Sequence, residues 1–269
     1  MIEKNIVNFK RYSRQIILKD IDVTGQKKLS YASVLVIGSG GLGSSALFYL
    51  AAAGVGRIGI VDSDWVELSN LNRQILFNEK EIGKSKTSSA AEKLRAFNSS
   101  ISIEENDGFF DSSNASRLVE KYDFVIDAVD NFETKFLIND ACVLNKRPFV
   151  HAGIEAFGGQ IMTVIPEKSP CLRCLMDQPP HEKDEKQQPI GILGASAGVI
   201  GSIQAAEAIK YFIGTGDLLT GRLLNVSLKN MRFKILKYSK DSLCLVCSPE
   251  KIISRIDPEK WTPYLEKPA

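Results

Sequence analysis

Apolar runs of four to seven residues recur along the first 150 positions and alternate with longer segments of mixed polarity. Short continuous runs rich in β-branched residues are typical of strands covered on both faces of a sheet. The runs expected to be strands are Val34–Ile37, Arg57–Asp62, Phe124–Asp130 and Pro148–Gly153, with Ser102–Asn106 as an edge strand. The segments expected to be helices are Ser44–Ala53, Lys84–Asn98 and Phe132–Leu144. This alternation predicts a parallel sheet with right-handed crossovers.

The pattern changes after position 150. Gly159–Ile165 and Gly221–Tyr238 are expected to form antiparallel strands, and Ala195–Ile213 a long apolar helix. The polar, proline-containing stretch Gln178–Pro189 predicts a mobile loop that crosses between them. Upstream, Phe9–Tyr31 is expected to be helical in pieces, and Ser63–Glu81 a loop with short helical turns. The predicted fold class is α/β, Rossmann-like, with a parallel sheet continued by antiparallel strands.

A glycine-rich turn follows the first strand at once. The segment Gly38–Gly43 reads Gly-Ser-Gly-Gly-Leu-Gly, so that Gly38, Gly40 and Gly43 fit G-x-G-x-x-G between a strand and a helix. Backbone N–H groups and a helix N-terminus at such a turn can bind phosphate oxygens. Asp62, nineteen residues later, can accept hydrogen bonds from ribose hydroxyls. By itself this pattern favours NAD or FAD over ATP, and a purely structural turn stays open.

The polar residues that follow reverse this preference and favour ATP over NAD or FAD. The run from Ser69 to Gln74 comprises Ser69, Asn70, Leu71, Asn72, Arg73 and Gln74, and Lys86 follows near the start of a helix. Amide, guanidinium and ammonium groups converging beyond a pyrophosphate suit a triphosphate better than a hydride-transfer site. Asp130, followed by Asn131, is expected at a strand end, where its carboxylate can bind Mg²⁺. The interpretation is therefore an ATP site with Mg²⁺.

Four of the five cysteines form two Cys-x-x-Cys pairs, Cys171 with Cys174 and Cys244 with Cys247. Two such pairs predict a tetrahedral, structural Zn²⁺ site, with disulfides or an iron–sulfur cluster as the rival interpretations. Cys142 is expected to be a buried, unreactive thiol. We therefore predict one domain over residues 1–269, with an N-terminal helical segment 1–31, a zinc-stapled C-terminal part 166–250 and a short appendage after the last cysteine.

Composition narrows the class of protein. At 269 residues, with a net charge of +2 and a pI of about 8.2, the chain carries no block of like charges that would favour nucleic acid. The N-terminus lacks the layout of a signal peptide, and glycines interrupt the apolar region from Val34 to Val61, so a membrane span is not expected. The predicted location is the cytoplasm, where thiols stay reduced.

In this combination the chain resembles the ThiF/MoeB/HesA family, bacterial relatives of ubiquitin-activating enzymes. The resemblance runs from Arg11 through Cys247 and includes the glycine turn, the polar run, Lys86, Asp130 with Asn131, and both cysteine pairs. It implies an enzyme that adenylates the C-terminal glycine of a ubiquitin-like sulfur carrier ending in Gly-Gly, with release of pyrophosphate. Thiamine and molybdopterin biosynthesis are the pathways it suggests, with ThiS- or MoaD-like carriers.

The resemblance also assigns roles. It implies that the loop with Gly41 lines the nucleotide, that Asp62 binds ribose, and that Asp130 binds Mg²⁺. The groups it assigns to the phosphates are Asn70, Arg73 and Lys86, and the catalytic residues it implies are Arg14, Arg73, Lys86 and Asp130. Arg14 matches an arginine that reaches into the neighbouring subunit's site, which implies a homodimer.

One departure from the family concerns sulfur. No cysteine lies between Cys174 and Cys244, where many members carry one in the crossing loop. A covalent cysteine step in that loop is therefore not expected, and sulfur is expected to come from a separate donor. The alternatives that stay open are adenylation of a short peptide or of another sulfur-pathway carrier, a non-catalytic scaffold and, more remotely, an NAD-dependent oxidoreductase.

Overall fold

The computed structural model describes residues 10–180 and 191–265. Its centre is an eight-stranded sheet with the order β3-β2-β1-β4-β5-β6-β7-β8. The strands are β1 Ser33–Ile37, β2 Arg57–Asp62, β3 Ser102–Asp107, β4 Phe124–Asp127, β5 Phe149–Glu155, β6 Gly158–Val164, β7 Arg222–Ser227 and β8 Arg232–Lys237. Strands β1 to β5 pair in parallel, and β5 to β8 pair antiparallel. The predicted fold class is confirmed.

Helices cover both faces of the sheet. They are α1 Ser13–Ile16, α2 Asp22–Tyr31, α3 Gly41–Ala53, α4 Lys86–Phe97, α5 Ala115–Val119, α6 Phe132–Leu144, α7 Leu172–Leu175 and α8 Gly194–Ile213. Two 3₁₀ turns, Leu68–Asn70 and Glu79–Glu81, lie in the segment for which short helical turns were expected. No helix in the described ranges is long and apolar enough to cross a membrane.

Strand β1 shows how the sequence builds two cores. All five of its residues are buried. Val34 and Val36 belong to the core cluster that contains residues of α3 and α8, whereas Leu35 and Ile37 belong to the cluster that contains residues of α5 and α6. Because successive side chains of a strand point to opposite faces, a continuous apolar run is what a doubly covered strand requires.

The strand order places the ligand-binding edge. The chain goes from β1 outwards to β2 and β3, and then returns to β4 and β5 on the other side of β1. In open α/β sheets such a reversal leaves a crevice at the carboxyl ends of the strands, here between β1 and β4. The glycine turn after β1 and the loop after β4 both enter this crevice.

Several predicted boundaries are corrected. Strand β4 ends at Asp127, so Asp130 lies in the following loop and not at the strand end, because residues 128–131 turn away into α6. Helix α3 begins at Gly41, three residues before the expected start, since the glycine turn provides its first turn. The segment Gly221–Tyr238, for which antiparallel strands were expected, divides into β7 and β8. Most of the predicted crossing loop, 181–190, and residues 1–9 lie outside the described residues.

Candidate functional site: a strand-end cavity and a four-cysteine centre

A cavity of about 1070 Å³ opens at the carboxyl ends of the parallel strands. Most of the predicted nucleotide residues line it: Gly38, Gly40, Gly41, Asp62, Arg73, Gln74, Lys86, Asp130 and Asn131. The predicted residues outside its wall are Arg14, Gly43, Ser69, Asn70, Leu71 and Asn72. The fold therefore brings together, at one place, groups that are spread over more than 90 positions of the chain.

The glycine turn and Asp62 are joined by hydrogen bonds. Asp62 Oδ2 accepts from the Ser39 backbone N at 2.7 Å and from Ser39 Oγ at 2.8 Å, and Asp62 Oδ1 accepts from Asp64 N at 2.9 Å. These contacts fix the carboxylate at the end of β2 against the turn after β1. Asp62 still lines the cavity, and its Oδ1, which accepts only one of these hydrogen bonds, has a second lone pair for a ribose hydroxyl.

Two glycines of the turn are required for different reasons. A Cβ on Gly43 would lie 2.0 Å from the carbonyl oxygen of Gly38, so the helix can start here only without a side chain. A Cβ on Gly40 would meet nothing nearer than Gln74 Nε2 at 3.6 Å, and Gly40 lines the cavity. Gly43 thus serves packing, whereas the missing side chain of Gly40 leaves room in the cavity for a ligand to approach the backbone.

The polar run after β2 builds a tight turn that aims two side chains into the cavity. Asn70 is buried, and its Oδ1 accepts from the backbone N of Glu67 at 3.2 Å. Arg73 Nη1 donates to the carbonyl oxygen of Ser69 at 2.8 Å and to Asn72 Oδ1 at 3.1 Å. Asn70 therefore supports the turn, and of this run only Arg73 and Gln74 reach the cavity wall.

Gln74 has a buried side-chain oxygen that forms no hydrogen bond with any described residue. Its side chain is buried and lines the cavity, yet its Oε1 has no hydrogen-bond partner among the described residues. An unpaired buried amide oxygen costs free energy, on the order of 1–3 kcal/mol. A ligand donor such as a hydroxyl or an amine would recover that cost, so this atom fits a site built for an occupant.

Lys86 is held in the cavity wall by a residue that sequence reasoning missed. Its side chain is 5% exposed, and its Nζ lies 2.7 Å from Oδ2 of Asp64, whose side chain is 65% exposed. Asp64 follows Asp62 by two residues, and a second carboxylate so near the acid that was predicted to bind ribose was the available signal. Asp64 is free to return to water, and phosphate oxygens in the cavity would give the buried Lys86 ammonium an anionic partner in its place.

Asp130 lies in the loop between β4 and α6 and faces the cavity. Within the part of the chain that the structure describes, it forms no ion pair. The next residue, Asn131, caps α6, because its Oδ1 accepts from Thr134 N at 2.8 Å. An unpaired carboxylate at the wall of this cavity fits the ligand set of Mg²⁺, which takes one or two carboxylates together with phosphate oxygens.

A buried charged cluster under the cavity was also missed. Lys135 Nζ lies 3.2 Å from Asp127 Oδ1, and His151 Nδ1 lies 2.6 Å from Asp127 Oδ2. Both Lys135 and His151 line the cavity, and an acid at the end of a buried apolar strand was the only sequence signal. Burial acts to raise the pKa of Asp127, but Lys135 and His151 outweigh it and hold that pKa below its ordinary value. Burial lowers the pKa of His151 although Asp127 opposes it, so the imidazole is neutral near pH 7.

Arg14 lies elsewhere. It belongs to the four-residue helix α1, is exposed, and does not line the cavity of its own chain. Its neighbours Ile17 and Leu18 are exposed apolar side chains. Within one chain, Arg14 is therefore apart from the predicted site residues that line the cavity.

The four cysteines of the two pairs meet in space. Their sulfur atoms all lie within 4.8 Å of one another, with Sγ–Sγ distances of 3.9 Å for Cys171–Cys174, 3.6 Å for Cys171–Cys244 and 3.3 Å for Cys174–Cys247. Zinc bound at 2.3 Å to four thiolates at tetrahedral corners requires sulfurs about 3.8 Å apart. The cluster therefore fits zinc.

The residues after the last cysteine are not the appendage that was expected. Arg173, between the first two cysteines, is fully buried and donates from Nε to Asp140 Oδ1 at 2.8 Å and from Nη2 to Asp140 Oδ2 at 2.9 Å. Trp261 Nε1 donates to the same carboxylate at 3.0 Å, and Arg173 Nη1 donates to the carbonyl oxygen of Pro263 at 3.3 Å. The C-terminal segment thus covers a buried ion pair beside the cysteine centre.

Fold and site together define a Rossmann-like α/β protein with a strand-end cavity of the kind that binds nucleotides and with a four-cysteine centre. The chain belongs to the ThiF family, whose model matches residues 12–246. The family assignment that the sequence suggested is confirmed.

Similar proteins point the same way. The chain is 45% identical over 248 residues to the adenylyltransferase and sulfurtransferase MOCS3 of Culex quinquefasciatus, covering 91% of this chain and 57% of that protein. It is 43% identical over 253 residues to MOCS3-1 of Zea mays, covering 93% and 54%. The chain thus spans about half the length of these curated relatives.

Solved structures extend the comparison. Escherichia coli MccB in complex with MccA-N7isoASN matches with a TM-score of 0.81 at 25% identity, covering 91% of this chain and 76% of that one. The ATP complex of MccB matches with a TM-score of 0.79 at 25% identity, covering 89% and 75%.

Proposed function

We propose that this chain is an ATP-dependent adenylyltransferase that activates the C-terminal glycine of a ubiquitin-like sulfur carrier and releases pyrophosphate. The observation that carries the proposal is the convergence of Arg73, Lys86 and Asp130 beside the glycine turn in one cavity. Two cations and an unpaired carboxylate suit a triphosphate with Mg²⁺. The MOCS3 relatives, named as adenylyltransferases, support the same activity.

The length of the cavity supports a second substrate beside the nucleotide. A nucleotide whose ribose binds Asp62 at the end of β2 occupies the part near β2, β1 and β4. The cavity wall continues to Gly153 on β5, Gln160 on β6 and Asn225 on β7. Strands β2 and β7 are five positions apart in the sheet, which corresponds to about 24 Å at the usual spacing. The part near β5 to β7 is therefore left for the acyl-bearing substrate, such as an extended C-terminal tail.

The reaction requires orientation and charge more than proton transfer. The attacking carboxylate is already ionised near neutral pH, so no general base is needed. Arg73 and Lys86 would bind phosphate oxygens and stabilise the negative charge that develops during in-line displacement at the α-phosphorus. Asp130 would hold Mg²⁺, which supplies further charge neutralisation when it is bound. An NAD-dependent oxidoreductase would leave these three groups without a role.

The assembly and the sulfur supply are also part of the proposal. Arg14 is exposed on α1 beside Ile17 and Leu18, so a homodimer could place it in the partner's cavity. Sulfur would come from a separate donor, since no cysteine lies between Cys174 and Cys244. The zinc centre would be structural, and its reduced thiolates agree with a cytoplasmic location. Thiamine and molybdopterin biosynthesis are the pathways we propose for the carrier.

A second candidate substrate is a short peptide. The observation that favours it is the likeness to MccB, whose structures include complexes with MccA and N-formylated MccA. The same cavity part near β5 to β7 would take either a peptide or the tail of a carrier. The two candidates differ only in whether a folded domain must accompany the tail.

The test is ATP–pyrophosphate exchange with Mg²⁺. Purified protein is assayed with ThiS- and MoaD-like carriers, with the same carriers lacking the last glycine, and with short peptides. Lys86→Met and Asp130→Ala should abolish exchange without lowering the melting temperature, whereas Lys93→Met, on the same helix as Lys86 but outside the cavity, should keep it. Exchange that depends on the intact tail supports the carrier, and exchange with peptide alone supports the second candidate. ATP binding without exchange for any substrate would refute the adenylyltransferase activity and favour a non-catalytic scaffold.

A further inference from the structure

The ammonium group of Lys135 makes three polar contacts below the cavity. The side chain on α6 is 6% exposed, and its Nζ lies 3.2 Å from Asp127 Oδ1. It also donates to the carbonyl oxygen of Val129 at 2.6 Å and to that of Ala152 at 2.7 Å. A lysine ammonium has three donors, so all of them are engaged. Lys135 therefore ties the end of β4, the loop after it and strand β5 to one point.

One of the residues that Lys135 holds, Val129, directly precedes Asp130. The N–H of Val129 donates to Asp127 Oδ1 at 3.3 Å, and its carbonyl oxygen accepts from Lys135, so both polar backbone groups of Val129 are held. On the other side, Asn131 is fixed as the cap of α6. Asp130 is thus the free residue between two anchored neighbours, and the position of its carboxylate depends on them.

We infer that Lys135 is a positioning residue that sets the carboxylate of Asp130 for the divalent cation of the nucleotide. The inference rests on the proposed function, because it takes Asp130 as the metal ligand. Lys135 itself need not touch the nucleotide. Groups that orient a metal ligand without touching the metal are worth about 10- to 100-fold in metal affinity.

Charge compensation alone does not account for this arrangement. Asp127 has a second side-chain partner in His151, and its carbonyl oxygen accepts from Gln204 Nε2 at 2.6 Å. Neutralising Asp127 requires one cation, but it does not require the bonds from that cation to Val129 and Ala152. Those two bonds join the loop to β5. Removing the Lys135 ammonium would break them even in a protein in which Asp127 is neutral.

Two variants separate positioning from charge compensation. Lys135→Met removes the ammonium and leaves Asp127 with His151. The double variant Lys135→Met with Asp127→Asn removes both charges, so no buried carboxylate is left without its cation. Lys93→Met is the control: Lys93 forms an ion pair with Glu81 and lies outside the cavity wall.

The measurement is Mn²⁺ binding in the presence of a non-hydrolysable ATP analogue, followed by the electron paramagnetic resonance of free Mn²⁺. Both Lys135 variants should weaken Mn²⁺ binding by about 10- to 100-fold, and Lys93→Met should not change it. Amide hydrogen exchange without ligand should accelerate at residues 128–131 in both Lys135 variants. Affinity for the analogue without metal should change by less than about threefold.

The outcomes distinguish the inference from the function on which it rests. If the double variant regains wild-type Mn²⁺ affinity, charge compensation suffices and positioning by Lys135 is refuted. Unchanged affinity in Lys135→Met refutes it as well. If the wild-type protein binds the analogue but shows no coupling to Mn²⁺, or if Asp130→Ala binds Mn²⁺ normally, then the metal role of Asp130 fails and the inference fails with it. An unfolded single variant shifts the decision to the double variant.

Discussion

Adding a methyl group at Gly43 or at Gly40 should separate the packing role of the glycine turn from its role in ligand binding. The change is Gly→Ala at each position. The new Cβ at Gly43 would lie 2.0 Å from the carbonyl oxygen of Gly38 and 2.9 Å from its carbonyl carbon, both of them backbone atoms. Contacts under 3.0 Å force a shift, so the backbone of the turn must move by about 1 Å or more.

The magnitude follows from that displacement. Overpacking a well-packed site costs about 1–3 kcal/mol, and a backbone clash belongs at the upper end. For a chain of this size 1 kcal/mol lowers the melting temperature by roughly 2–4 °C, so Gly43→Ala should melt about 6–12 °C below the wild type. Gly40→Ala meets only the amide end of Gln74 beyond 3.5 Å, and its melting temperature without ligand should stay within about 2 °C.

For ligand binding, in contrast to stability, Gly40→Ala should be the change with the direct effect. The methyl group at Gly40 enters the cavity where a phosphate would approach the backbone, so ATP affinity should fall at least about tenfold, or 1.4 kcal/mol. Thermal unfolding without nucleotide and titration calorimetry with Mg·ATP measure the two effects. A Gly40→Ala protein with wild-type ATP affinity would refute the reasoning about the cavity. A Gly43→Ala protein with wild-type stability would refute the packing argument.

Three further changes test the rest of the structure. Cys244→Ser should lower bound zinc, measured by metal analysis, from about one per chain to near zero. It should also lower the free energy of unfolding in urea by at least about 3 kcal/mol. Full zinc content in this variant would contradict zinc binding by the four cysteines. Arg173→Met leaves Asp140 buried without its cation and should cost about 3–5 kcal/mol, whereas a loss under about 1 kcal/mol would contradict burial of the pair. Acid should destabilise the protein through two groups with lowered folded-state pKa values, because the unfolded chain then binds more protons. The loss should begin near the ordinary pKa of 6.5 for His151 and continue below 3.8 for Asp127. In His151→Gln the loss between pH 7 and 5 should shrink, as measured by urea unfolding across pH; an unchanged slope would contradict the assignment.

Periodicity predicted the strands well because each buried strand is a local pattern. The run from Val34 to Ile37 is apolar at every position, since helices cover both faces, and the glycine turn follows it directly. The boundary at β4 was missed because the apolar pattern continues to Val129, while pairing with β1 stops at Asp127. Pairing is a property of two segments, and a pattern in one of them cannot show where it ends.

Site residues with a spacing rule were predicted, and those defined only by tertiary contact were not. Asp62 follows a glycine turn at a known interval, and Asp130 follows a strand. Lys135 and His151 belong to no such rule: each meets Asp127 only because β4, β5 and α6 come together. Asn70 shows a second limit of sequence reasoning: the pattern predicts a phosphate contact, and only the structure reveals that its Oδ1 also accepts from the backbone N of Glu67 and so shapes its own turn.

Helix α6 connects the two centres of the molecule. Its cap, Asn131, follows Asp130, and Lys135 and Asn139 lie four residues apart on one face of the helix. Asn139 Oδ1 accepts from the backbone N of Leu172 at 2.8 Å, between the first two cysteines, and the next residue carries the carboxylate that binds Arg173. A shift of the cysteine centre therefore acts on the same helix that anchors the loop of Asp130. One helix thus holds both the segment of the first cysteine pair, through Asn139, and the loop that carries Asp130, through Lys135.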